Sequence, residues 1–411
     1  MGRNGLVTSI NGPISFKPDD HIGQDMRGVA VVLVVLFHLG LSWMPGGYLG
    51  VSVFFTLSGF LITSLLVRQQ QRTGGIDLPQ FYQRRARRLV PAGLLTIGIT
   101  VVLASTKLVE IGGTFRRDVL SAMFQVLNWT QLFGHKSYAD LFVAPSPVAH
   151  FWSLGIEEQF YLLWPLALLV ILRFLRRTGN PGRLVWVVAG CWLLTAVSAP
   201  LSVQWWNNSA AYYATWARAA EVFAGAVVAV AIVGRTVPRW VRHLGAPALV
   251  AIVGLSVVTP SGKGWAFAGG LPVFGLLSAV LVLALQVPGW GVSVLSLRPL
   301  TWLGATSYGV YLFHWPVFLV LTADRTHLHS WLLHVVRLAV TLALAAVSYY
   351  AFERPIRHGA RLPSARRLTV AMSTFVAVVA ALALALPLPT RHEAAAAPHI
   401  VQATTTAAPA T

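Results

Sequence analysis

The sequence predicts an all-α integral membrane protein: a bundle of about ten transmembrane helices followed by an eleventh C-terminal span. Three observations carry this. Hydrophobic residues fill 56% of the 411 positions and charged residues only 11%, against about 25% charged in a typical soluble domain. Eleven apolar stretches have the length, about 17–25 residues, that crosses a roughly 30 Å hydrocarbon core. The basic excess, a net charge of +18, collects in alternate loops. This composition excludes a disordered chain, a disulfide scaffold and an ordinary cytosolic enzyme. Nucleic-acid binding needs a solvent-facing basic stripe. Here the arginines separate apolar runs, so no nucleic-acid partner is expected. Cys191 is the single cysteine and has no intrachain partner, so it reads as packing.

In chain order the stretches are 28–44, 48–67, 90–106, 157–172, 184–203, 213–234, 244–259, 265–286, 300–321, 332–352 and 368–388. No small-residue cleavage site follows the first, so it reads as a span and not a signal peptide. Residues 119–133 are too short and polar for a span and read as interfacial or re-entrant. With the N-terminus inside and each stretch crossing once, 22 of the 31 Lys and Arg fall inside and seven outside. The other two, Arg218 and Arg337, lie within spans. That bias matches the positive-inside rule and predicts a cytoplasmic N-terminus and an extracytoplasmic C-terminus. The chain divides into an N-terminal cytoplasmic segment (1–21), a transmembrane domain (22–358), and a connecting loop with the eleventh span (359–389). An Ala/Thr/Pro-rich linker or tail (390–411) follows, of a composition that cannot bury a core.

A charge at a helix centre costs roughly 2.5–3.5 kcal/mol on insertion scales, so intramembrane polar residues are the first candidates for function. Span one reads DMRGVAVVLVVLFHLG, with Arg27 at its cytoplasmic entry and His38 eleven residues on. At 100° per residue both point from nearly the same face, about 16 Å apart along the axis. That spacing predicts His38 near the bilayer midplane. A lone histidine in an apolar helix is commonly an interhelical hydrogen-bond partner; the sharper reading is a general base.

Span two supplies Ser58 in a Gly/Ser/Thr-rich helix suited to close packing. The following loop, FYQRRARRLVP, holds Arg84, Arg85, Arg87 and Arg88. It is either a plain positive-inside anchor or a clamp for phosphates, whose oxygens guanidinium forks match. HFWSLGIEEQFYLLWP brings His150, Ser153, Glu157, Glu158 and Tyr161 to the outer entry of span four. Adjacent residues diverge by about 100°, so one glutamate lines a cavity and the other caps or pairs. Arg218 and Glu221 in span six have ion-pair spacing. SYGVYLFHWP in span nine holds Tyr308 and His314, with Pro316 as a kink. FERPIR reads as a structural end to span ten, where Pro355 stops the helix. No P-loop, HExxH, zinc spacing or GxSxG elbow is present, so no metal and no permanently bound cofactor are expected.

Taken in order, these motifs resemble the acyltransferase 3 family of bacterial integral-membrane O-acyltransferases of envelope glycans, over about residues 22–358. One departure stands out. Where the family reads Leu-Asp-Gly-Leu-Arg, this chain reads Gly23-Gln24-Asp25-Met26-Arg27, so Gln24 takes the acidic position. The resemblance implies an acyltransferase of the bacterial cytoplasmic membrane, with acyl-CoA (acetyl-CoA above all) as donor substrate. The acceptor would be a hydroxyl of an envelope glycan, lipid-linked sugar or glycolipid. It implies His38 as catalytic residue, with Glu157 and Glu158 as further candidates. Arg27 and the Arg85/Arg88 pair would serve the donor, joined by Arg84 from the same basic run. Ser58, His150, Ser153, Tyr161, Arg218, Glu221, Tyr308 and His314 are the substrate- or cavity-lining candidates. Some family members carry an eleventh span leading to an SGNH-type domain, and span eleven with the Ala/Thr/Pro tail looks like that connector. Other relatives acylate macrolides. A proton-coupled transporter would also hold His, Glu and Arg at mid-depth, but no inverted repeat or pair of broken helices is visible.

Overall fold

The computed structural model describes residues 20–134, 146–357 and 365–386; the tail 390–411 and residues 1–19 lie outside the described residues. Each predicted apolar stretch coincides with helix over most of its described length. We label the principal helices α1 (Asp20–His38), α2 (Gly50–Thr73), α3 (Leu78–Ser105), α4 (Phe115–Met123), α5 (Leu127–Phe133), α6 (Phe151–Arg177) and α7 (Leu184–Trp205). They continue as α8 (Thr215–Ile232), α9 (Gly245–Val258), α10 (Leu271–Ala284), α11 (Arg298–Val320), α12 (Ser330–Val347) and α13 (Ala365–Ala385). No strand occurs among the described residues. Helices are the open structures that satisfy their backbone groups internally in hydrocarbon, so this is the expected solution.

Among the described residues, eight helices are long and apolar enough to cross a membrane: Gly47–Thr73, Leu78–Ser105, Phe151–Arg177, Pro181–Trp205, Thr215–Ile232, Arg239–Val258, Ala266–Ala284 and Trp331–Ile356. The chain is thus an all-α integral membrane protein. Helices α1 and α11 fall outside that group; polar residues interrupt them, among them Asp25 and Arg27 on α1 and Thr306, Ser307 and His314 on α11. Their packing partners explain why this is tolerated. α1 lies against α11 and α2, and α11 also against α12, so these polar residues meet protein. α8 fills the other half of the bundle, against α2, α7 and α10.

Two crossings bring backbones into contact. A Cβ at Gly225 of α8 would lie 1.8 Å from the Thr56 carbonyl oxygen of α2, and one at Gly304 of α11 would lie 1.7 Å from the Gln24 carbonyl oxygen of α1. Only glycine fits there. The entry of α1 is fastened beside the second crossing. Asp25 is buried and accepts hydrogen bonds from Ser296 (2.7 Å) and Thr301 (3.1 Å).

Three local expectations are corrected. The first span is predicted over 28–44, but α1 ends at His38, so His38 closes the helix instead of sitting inside it. Gly40, at φ 75°, takes the left-handed turn that stops α1. FYQRRARRLVP is helix and not loop: Asp77 caps α3 by accepting from the Gln80 amide at 3.0 Å, and Pro79 sits in the first turn. Pro355 does not end the FERPIR helix. A π segment over Ser348–Glu353 carries the helical run without a break into Arg354–Arg357, so Pro355 lies within that run. The polar stretch 119–133 lies in the short helices α4 and α5, broken at Gln125 (φ 58°). They dock on α6 through Gln159, which donates to Asn128 Oδ1 and Gln125 O and accepts from Trp129 and Thr215.

Candidate functional site

A partly open cavity of about 60 Å³ lies among α1, α2, α3, α6 and α11. Its polar wall is Arg27, Arg85, Arg88, Glu157, Tyr161, Ser58, Ser153, Ser307, Tyr308 and Tyr311. The helical period explains the selection. Arg85 and Arg88, three apart, turn one face of α3 inward, whereas Arg84 is exposed and bonds back to Gln80 on its own helix. Arg85 lies 4.9 Å over the Tyr161 ring, a cation–π contact that keeps it from swinging outward. The Tyr161 hydroxyl lies 2.7 Å from Glu157 Oε2 and 2.8 Å from Ser58 Oγ, which ties α6 to α2. Tyr308 donates to the Leu89 carbonyl (2.7 Å) and ties α11 to α3.

A second cluster lies behind one side-chain layer of this cavity. Tyr311 forms the layer with Ser153. Its hydroxyl meets Ser153 Oγ at 2.5 Å and donates to the His150 carbonyl at 3.0 Å, while its ring lies 5.5 Å from His314 and 5.8 Å from His150. On the far side the His314 ring is 4.9 Å from His38 and 5.6 Å from His150. Trp315 and Phe37 stand edge-on to His38 at 5.2 and 5.1 Å.

Hydrogen bonds to carbonyls decide each tautomer, because a nitrogen bonded to a carbonyl must carry the proton. His38 Nδ1 donates to the Val34 carbonyl (2.8 Å), leaving Nε2 as the imine nitrogen. His314 Nδ1 donates to the carbonyls of Tyr311 (2.7 Å) and Val310 (3.2 Å), and its Nε2 is buried without a hydrogen-bond partner among the described residues. His150 Nε2 donates to the Leu312 carbonyl (3.1 Å), and its Nδ1 is likewise buried and unpartnered. Pro316 makes the last bond available. It lacks the N–H that would pair with the carbonyl four residues back, Leu312, so that oxygen accepts from His150.

The sequence candidates thus fall into three places. Arg27, Ser58, Arg85, Arg88, Ser153, Glu157, Tyr161 and Tyr308 line the cavity. His38, His150 and His314 form the cluster beyond it. Arg84, Glu158, Arg218 and Glu221 lie outside both. Divergence along α6 puts Glu157 on the wall and turns Glu158 off it. The Arg218–Glu221 pair (2.9 Å) is fully buried one layer back. There the guanidinium stacks on Phe55, Tyr212 and Trp152 at 5.0, 5.0 and 5.7 Å. Phe55 itself lines the cavity, so the pair supports the wall without forming it. Sequence reasoning passed over Tyr311, although 308, 311 and 314 mark one face of α11 at three-residue spacing. Among the described residues no group of three or more His, Cys, Asp or Glu is disposed to hold a metal.

Fold and site together define a polytopic membrane protein with a basic pocket beside a histidine cluster. Comparison with known proteins adds the lineage. The family described as an acyltransferase domain matches residues 25–353, and the chain belongs to that family, acyltransferase 3. It is 34% identical to the peptidoglycan O-acetyltransferase OatA of Listeria monocytogenes over 81% of this chain and 55% of that one. It is 35% identical to YrhL of Bacillus subtilis, over 81% and 54%. Identity to the O-acetyltransferase OatA of Staphylococcus aureus is 28%, over 81% and 56%. The chain spans about half the length of these curated relatives. No solved structure matches it.

Proposed function

We propose that the chain moves an acetyl group from cytoplasmic acetyl-CoA to a hydroxyl of a cell-wall carbohydrate, with peptidoglycan as the acceptor the relatives' names favour. One observation carries the reading. Arg27, Arg85 and Arg88 converge with Glu157 on a single cavity, whose wall residue Tyr311 touches His314, the ring neighbour of His38, in a chain of an acyltransferase family. A volume of about 60 Å³ is several times the roughly 10–15 Å³ that a single water needs. It therefore admits the acyl end of a thioester, while the phosphates stay at the arginine-lined mouth. The basic bias supports an orientation with the N-terminus inside and the C-terminus outside the bacterial cytoplasmic membrane, in which that mouth opens to the cytoplasm.

The chemistry follows from tautomer and access. The Val34 carbonyl holds the Nδ1 proton of His38, which leaves Nε2 free to take the acceptor hydroxyl's proton. His38 is partly exposed whereas His150 and His314 are buried, so the acceptor meets His38 first. The hydroxyl oxygen attacks the thioester carbonyl, the C–S bond breaks, and CoA leaves as thiolate to be protonated by water. Contact between acyl group and His38 requires the Tyr311–Ser153 layer to part. Glu157 holds Tyr161, and through it Arg85, in place at the donor side.

The test uses the purified full chain, labelled acetyl-CoA, and soluble glycan, lipid-linked sugar and glycolipid acceptors in parallel. Thioester loss with label on a carbohydrate hydroxyl is the expected result. Acetyl-CoA binding absent under all conditions would overturn the reading.

A further inference from the structure

We propose that His314 is the positioning partner of His38: its unpartnered Nε2 takes up the proton that His38 acquires. The inference rests on His38 acting as the base.

A base that becomes a cation in a protein interior is usually stabilised by a carboxylate. Among the described residues no carboxylate touches His38. Its ring neighbours are Phe37, Trp315 and His314. The two aromatic rings offer cation–π stabilisation, but only His314 offers a lone pair. The bonds of the ring leave that lone pair unused. Nδ1 is turned back to the Val310 and Tyr311 carbonyls of its own helix. Nε2, on the other side of the ring, is buried without a partner among the described residues, and the ring centroid lies 4.9 Å from that of His38 and 5.6 Å from that of His150. A buried nitrogen without a partner is costly unless function uses it. Here it is an acceptor with nothing to accept until His38 is protonated.

The step balances. The acceptor O–H breaks and its proton goes to His38 Nε2. The oxygen's electron pair forms the ester bond as C–S breaks. The proton passes to His314 Nε2, and while it stays there His314 Nδ1–H keeps its bond to Tyr311. It returns through His38 to water, while CoA thiolate takes a proton from water on the donor side. No co-reactant is needed. The titratable and charged groups packed around the pair are His150 from the entry of α6, Tyr311 on α11, and His334 and Arg337 on α12. Arg337 lies 5.4 Å over Phe318, whose ring is 5.8 Å from His314. None of these is a carboxylate; His150 Nδ1 is also unpartnered, but among the described residues it is the His314 ring that contacts His38.

The test compares the full-length chain with His314→Asn and His314→Gln in acetyl transfer against pH. Asparagine keeps an amide near the Nδ1 position and deletes Nε2; glutamine restores an acceptor near Nε2. A general base works when neutral, so its rate rises with pH through its own titration. Losing the acceptor makes the imidazolium less stable and moves that acid limb down, by about one pH unit. For His314→Asn kcat should fall about ten- to a hundredfold, with KM for acetyl-CoA unchanged, and His314→Gln should recover part of it. An unmoved limb with wild-type kcat in His314→Asn overturns the proposal. If the variants do not fold, ¹⁵N-histidine spectra of the unaltered chain decide. His38 and His314 should both be Nδ1–H tautomers and change in one titration step; an Nε2–H tautomer at His314, or separate steps, overturns it. His38→Ala separates the two readings. Full transfer in His38→Ala leaves acetyl transfer standing but defeats His38 as its base and this inference with it, whereas a dead His38→Ala beside an unaffected His314→Asn defeats only this inference.

Discussion

Replacing Arg218 by alanine removes a guanidinium that is 1% exposed and sits 2.9 Å from a carboxylate that is 0% exposed. It also empties the space between Phe55, Trp152 and Tyr212 and removes the contact from Arg218 Nη2 to Ser52 Oγ at 3.3 Å. Glu221 is left charged and buried with no cation, the situation in which breaking one partner of a buried pair costs about 3–5 kcal/mol. Replacing both partners with apolar residues of similar volume is often neutral or stabilising, because no charge is stranded. The account therefore orders three proteins. Arg218→Ala should lose about 3–5 kcal/mol in detergent unfolding, Glu221→Gln somewhat less, and the double variant Arg218→Met/Glu221→Leu should recover most of the loss. The double variant should also still bind acetyl-CoA, because neither residue lines the cavity. The assay is thermal unfolding of purified protein, with acetyl-CoA binding on the same samples. An Arg218→Ala protein as stable as wild type, or a well-folded double variant that no longer binds acetyl-CoA, would refute the structural role.

Arg85→Ala and Arg88→Ala should each weaken acetyl-CoA binding about ten- to a hundredfold, the loss expected for a charge-assisted hydrogen bond. Arg84→Ala, on the exposed face of the same helix, should bind within about twofold by the modest value of surface charges; calorimetry on the three variants checks this. Gly225→Val places a side chain 1.8 Å from the Thr56 carbonyl and should cost about 3 kcal/mol or more through forced separation of α2 and α8, read as loss of folded yield. Reporter fusions at Gly75 and at Gly262 should report opposite sides of the membrane, the first cytoplasmic; the same side for both would break the orientation.

The sequence made the helical bundle legible because lipid forces apolar runs to be helical, and each run supplied its own boundary signals. Helix ends were harder where one residue decides them. The stop at Gly40 depends on a left-handed turn, which an apolar pattern running to residue 44 conceals. The basic run on α3 was readable as charge but not as helix, since Asp77 and Pro79 lie well before the apolar part. Within the site, the arginines, Glu157 and Tyr161 were visible because polar groups in apolar surroundings stand out. The separation of Arg27 and His38 was not. Helical phase puts both on one face of α1, yet it is silent about Tyr311, which arrives from 273 residues further along the chain and closes the wall between them. The link between Pro316 and His150 was equally hidden, because the freed Leu312 carbonyl matters only once the turn before α6 is packed against α11.

The central claim, that His38 is the base for acyl transfer, meets its most direct test in His38→Ala. Transfer rate, acetyl-CoA affinity and detergent-extracted yield should be measured on one preparation. Loss of a general base costs about 10²–10⁴-fold, so transfer should fall by that factor while binding and yield stay near wild type. A well-folded His38→Ala protein that binds acetyl-CoA and transfers at close to the wild-type rate would contradict the account.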